Sequence, residues 1–127
     1  EGALIPKGPA GAKQILSSLK AGNHLALLVD QKMNDGIPVP FFGADAMTAP
    51  ALAQLALRLT CPVVPVRVKR LKGANFQVIV SPPMEFTSSG DQQADVLAYM
   101  TEINAIIEGW IRDTPGQWLW LHNRWPK

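Results

Sequence analysis

Cysteine is almost absent from this chain. Cys61 is the only one in 127 residues, which excludes an internal disulfide and any metal site built from several thiolates. It follows a helical pattern and precedes Pro62, so a packed thiol is expected there rather than a nucleophile. Long apolar runs are missing too: none approaches the roughly 18 residues that cross a bilayer, and no signal-peptide pattern is present. An excess of one charge is also lacking. Twelve basic against ten acidic residues leave a net charge of +2, too little to indicate a nucleic-acid partner without a concentrated patch. The nearest thing to a patch, Arg67-Val68-Lys69-Arg70-Leu71-Lys72, suits the solvated end of a strand entering a turn at Lys72-Gly73. There is no G-x-S-x-G, no Walker loop and no dinucleotide fingerprint, so no cofactor is expected.

What is present is a core-forming composition, 47% hydrophobic and 17% charged, in a chain of one domain's length. Ala12, Ile15, Leu16 and Leu19 recur at helical spacing and predict a helix over residues 10–20, stopped near Gly22. Residues 24–30, His-Leu-Ala-Leu-Leu-Val-Asp, form an apolar run too short for a typical helix and suit a strand buried on both faces. Residues 36–50, GIPVPFFGADAMTAP, then read as a loop in which large apolar side chains must pack beneath the chain or meet something apolar from outside. Thr48 can cap the next helix, whose first turn holds Pro50 and which runs to about residue 60. Two β-branched runs, PVVPVRVKR and NFQVIVSP, predict antiparallel strands joined by a tight connection around Lys72-Gly73. Between Asp91 and Arg112 a long amphipathic helix carries Leu97, Met100, Ile103, Ile107, Trp110 and Ile111 on one stripe, and Pro115-Gly116 breaks it.

That order of elements predicts an α/β fold: a layered helix-sheet-helix arrangement with a mainly parallel central sheet. Three clear strands and a possible fourth at WLWLH are few for such a sheet. The opening EGALIPKG, without an initiator methionine, leads us to expect a piece of a longer protein, with the missing strands upstream.

Ligands of open α/β sheets bind at the carboxyl ends of strands, which makes Asp30 the first candidate for a site carboxylate. Asp30 tying the turn through backbone hydrogen bonds stands beside it as an alternative. A His24–Asp30 dyad is excluded on the expected strand, because six residues at roughly 3.3 Å each hold the two about 20 Å apart. At the other end, an extended GQWLWLHNRW would turn Trp118, Trp120, His122 and Arg124 to one side. That face could hold an anionic headgroup or phosphate, with Arg124 as the bidentate donor; alternatively, the tryptophans finish the core.

Together, LLVDQKMNDGIPVPFFGADAMTAPALAQLALRLTCPVVPVRVKR and the closing PGQWLWLHNRW resemble the bacterial lipid A biosynthesis acyltransferases. These are the lauroyl- and myristoyl-transferring enzymes of the lysophospholipid acyltransferase superfamily. The resemblance covers residues 4–125 and rests on the Asp30-Gln31 pair, V-P-F-F-G, the A-x-T before the helix, V-V-P-V and Q-W-L-W-L-H-x-R-W. It implies the C-terminal portion of a single glycerolphosphate-acyltransferase-like domain over residues 1–127. It also implies transfer of a fatty acyl group from acyl carrier protein to a hydroxyl of a lipid A precursor, at the cytoplasmic face of the bacterial inner membrane, which members reach through an N-terminal hydrophobic segment.

The family's His-x4-acid motif, whose histidine deprotonates the acceptor hydroxyl, is not in this sequence: Val29 stands five residues after His24, and Lys127 five after His122. The base is therefore expected upstream, and the isolated chain is expected to be inactive and to self-associate, through edge pairing of a strand at residues 24–30 or by burying the faces that the missing half would cover. The resemblance places Asp30 in the active site without making it the general base, and assigns His122 and Arg124 to the closing motif. Phe41 and Phe42 would line or roof the path of the acyl chain, or pack against the missing half. A protein-interaction patch built on Trp118, Trp120 and the phenylalanines, or a small ligand-binding α/β domain using Asp30 and Arg124, are the competing readings.

Overall fold

The computed structural model describes residues 2–6, 8–119, 121 and 123–125. Three helices and four strands follow one another as α1 (Pro9–Lys20), β1 (Lys32–Phe41), β2 (Ala44–Thr48), α2 (Ala51–Leu59), β3 (Val66–Arg70), β4 (Phe76–Val80) and α3 (Gln92–Asp113), closed by a 3-10 turn at Pro115–Gln117. The chain is α/β, but the described residues form no parallel central sheet of the kind expected. The described strands form two separate antiparallel pairs, β1 with β2 and β3 with β4.

Two corrections account for the difference. Residues 24–30 belong to no strand, and Leu28 is 83% exposed. An apolar run supplies the side chains of a buried strand but not the neighbour whose N–H and C=O groups it needs, and among the described residues no strand pairs with it. The strand lies instead in the stretch expected as a loop. In β1 the side chains alternate, with Val39 and Phe41 buried and Pro38 and Pro40 exposed, and β2 answers with Ala46 and Thr48 buried. Two prolines are tolerated because β1 pairs with one neighbour only, so their missing N–H groups can face outward. Phe42 and Gly43 make the two-residue turn with φ of 52° and 79°, the doubly positive signature that matches the twist of a hairpin.

Thr48 consequently ends β2 and does not cap α2; Pro50 occupies that cap without a side-chain bond. β3 and β4 pair as expected, with Val66 opposite Val80 and Arg70 opposite Phe76. α3 also forms where predicted. Its N-cap Asp91 accepts from the Gln93 and Ala94 N–H groups at 2.9 and 3.1 Å. One turn on, Asp95 accepts from the Ser88 and Ser89 hydroxyls and the Ser89 N–H. Those bonds, Ser88's first, hold the Asp95 carboxyl below its ordinary range, next to the positive end of the helix. The buried stripe is rotated from the expected one: Val96 and Tyr99 go inside with Met100, Ile103, Ile107 and Ile111, whereas Leu97 is 43% exposed.

The core lies where α3 crosses the β1–β2 hairpin and α2. Phe41, with no exposed surface, is its largest apolar member. Burying such a side chain contributes about 1.5–3 kcal/mol.

Candidate active site

The end of the hairpin and the end of the chain meet around Phe41. Its ring is edge-on to Trp118 at 5.6 Å and stacked on Trp125 at 5.8 Å, and the Trp125 indole donates to the Phe41 carbonyl at 3.1 Å. The Arg124 guanidinium lies 4.3 Å from the same ring centre, a cation–π contact strengthened by exclusion of water.

Arg124 is 1% exposed. Its Nη2 donates to Thr48 Oγ1 at 2.9 Å and to Asn104 Oδ1 at 3.4 Å, while Asn104 Nδ2 donates to the Pro40 carbonyl at 3.1 Å. Thr48 Oγ1 donates in turn to the Ala46 carbonyl at 2.9 Å. The Arg124 carbonyl in turn accepts the Met47 N–H at 2.9 Å, so residue 124 is fixed at both backbone and side chain. Nε and Nη1 are buried without a hydrogen-bond partner among the described residues. Burial pushes the guanidinium below its ordinary value, and the Asp30 carboxylate works against that shift.

Asp30 is half-buried and receives the Trp118 Nε1–H on Oδ2 at 3.3 Å. It sits on the wall of a cleft of about 300 Å³ whose other walls include Leu27, Val29, Val66, Val68, Trp110 and Ile111. A second hollow of about 110 Å³ shares Leu27, Val29 and Val66 with it. The cleft is thus a mainly apolar trough with a carboxylate on its wall, within the size range of small-molecule sites. Its rim is tied by Arg67, which donates through Nη2 to Asp113 Oδ2 at 2.8 Å and to the Trp110 carbonyl at 3.0 Å. Lys69 adds a contact to Asp113 at 3.1 Å. Lys69 first, and then Arg67, hold the Asp113 carboxyl below its usual range. Gln117 clamps the end of β3, its amide donating to the Arg70 carbonyl at 3.0 Å and accepting the Arg70 N–H at 2.8 Å.

Of the residues named from sequence, the structure brings Asp30, Phe41, Phe42 and Arg124 into one neighbourhood; His122 lies outside the described residues. Phe41 is a core residue. Phe42 is half-buried at the hairpin turn, its N–H donating to Glu108 Oε1 at 2.5 Å and its ring facing Arg112 at 4.8 Å. Neither phenylalanine lines the cleft. Sequence reasoning missed Thr48, Asn104 and Gln117 as the polar groups that join the two ends of the chain. A buried asparagine on the apolar stripe of α3 was the available signal. Among the described residues no group of three or more His, Cys, Asp or Glu side chains could hold a metal ion, and no helix is long and apolar enough to cross a membrane.

The family model of the bacterial lipid A biosynthesis acyltransferases matches residues 1–127. The chain belongs to that family. No curated protein matches it.

Proposed function

We propose that this chain supplies the acyl-binding side of an active site that moves a fatty acyl group from acyl carrier protein to a hydroxyl of a lipid A precursor, at the cytoplasmic face of the inner membrane. The observation that carries this reading is the apolar cleft with Asp30 on its wall. In the reaction the acceptor oxygen forms an ester bond to the acyl carbon, the carbon–sulfur bond of the thioester breaks, and the hydroxyl proton passes to a general base. In the family that base is the histidine of a His-x4-acid pair, and neither His24 nor His122 has an acid five positions on. Asp30 accepts a hydrogen bond from the polar end of the substrate that strengthens in the transition state, and Phe41, behind Trp118, supports that wall from the core.

Radiolabelled acyl transfer from acyl carrier protein to a lipid A precursor tests the assignment. Residues 1–127 alone should give no product above a no-protein control, and the same residues within a longer chain that carries a His-x4-acid pair should give product. Transfer by residues 1–127 alone would show that the base lies within them.

Residues 24–30 form no strand that could pair at an edge, so self-association of the isolated chain would have to bury an apolar face. Opposed residues of an antiparallel pair share a face, so Val66, Val68, Phe76, Val78 and Val80 lie together on one side of β3–β4, and all five are exposed. An apolar face of this kind is an association surface. Sedimentation should show species larger than a monomer at micromolar concentration; a monomer throughout that range, with no binding of a hydrophobic dye, would contradict it.

A further inference from the structure

Residues 24–30 belong to no helix or strand, so no backbone ladder sets the direction of the Asp30 carboxylate. A side chain distant in sequence does. Trp118 Nε1 donates to Asp30 Oδ2 at 3.3 Å across 88 residues of sequence, and both side chains line the same cleft. The indole cannot follow a wandering carboxylate. Its ring is edge-on to Phe41, at an interplanar angle of 78°, and Phe41 is itself held by the Arg124 and Trp125 contacts described above. An indole has one N–H and no acceptor, so it can engage only one carboxylate oxygen, in one direction, and leaves the carboxylate its remaining acceptor capacity for a ligand.

We infer that Trp118 is a positioning residue for Asp30: it takes Oδ2 and thereby aims the rest of the carboxylate into the cleft. This rests on the assignment of Asp30 to the active site made above. Trp118 acts through Asp30, so its contribution should exist only when Asp30 is present. The core stack behind it supplies the rigidity that a single hydrogen bond lacks, because a positioned group contributes to rate only when its own support is fixed.

The test is a double-mutant cycle in the active full-length enzyme. Trp118→Phe keeps a ring against Phe41 and removes the donor; it should lower kcat about tenfold, the loss expected for one hydrogen bond to a charged group, with KM for the acyl donor nearly unchanged. In an Asp30→Ala background the same change should cost less than about twofold, because the partner is already gone. Should Trp118→Phe disturb folding, incorporation of benzothienylalanine at 118 keeps the bicyclic outline and removes only the N–H. The same tenfold loss with and without Asp30 would overturn the inference, since it would mean that Trp118 acts by packing. So would an unchanged kcat in Trp118→Phe when Asp30→Ala is impaired. An unimpaired Asp30→Ala enzyme is a separate outcome, which overturns the site assignment and the inference with it.

Discussion

Asp30→Ala in the active enzyme is expected to lower turnover on the order of a hundredfold, the size of effect seen when one preorganised polar group is taken from a site. The cost in stability should be small, about 1 kcal/mol, for one half-buried hydrogen bond to Trp118. Kinetics with purified protein beside thermal unfolding separates the two. If the loss of activity merely tracks the loss of folded protein, Asp30 is tying the chain before β1 and the catalytic assignment fails.

Arg124→Ala should act the other way, on the fold before the chemistry. The substitution removes a guanidinium that is 1% exposed, its bonds to Thr48 and Asn104, and the cation over Phe41. Large-to-small changes at buried sites cost about 2–5 kcal/mol, and this one also leaves two polar side chains short of a partner. We expect about 3–5 kcal/mol, against a typical total of about 5–15 kcal/mol for a domain. Arg124→Met should cost clearly less, because it refills the space that Ala leaves empty. Urea titration of the three proteins measures both effects. A fully stable Arg124→Ala protein with poor affinity for the lipid acceptor would return Arg124 to the anion-binding role that alternation along an extended C-terminal segment suggested.

What could be read from the chain divides by the range of the forces involved. α3 was legible because its signals are local: a capping aspartate, a repeat of apolar residues at helical spacing, and Pro115-Gly116 beyond the end. β3 and β4 were legible because β-branched runs flank a short turn. The β1–β2 hairpin was not, since Gly36, Pro38 and Pro40 punctuate it as a loop, and whether a proline is tolerated in a strand depends on which edge faces a neighbour. Residues 24–30 failed for the converse reason, having the composition of a strand without a partner.

At the site, Asp30 stood out as a carboxylate after an apolar run, but its indole donor lies 88 positions away. Alternation placed Trp118 and Arg124 on one side of an extended segment. It could not say whether that side faces water or protein, and for Arg124 it faces protein.

The junction between residue 124 and the hairpin also bears on when this chain can fold. Arg124 reaches back 76 residues to Thr48, and Trp125 84 residues to Phe41. Contacts so far apart in sequence must bear the entropy of closing a long loop before they return any stability. On the ribosome, α3 can coil as soon as it emerges, and the β1–β2 hairpin can form from its two-residue turn. The clamp on Phe41 must wait until residues 124 and 125 have left the exit tunnel. Until then Phe41 lacks both of the contacts that stack on it, and a nascent chain paused short of that point presents an open aromatic pocket to any chaperone or protease that meets it.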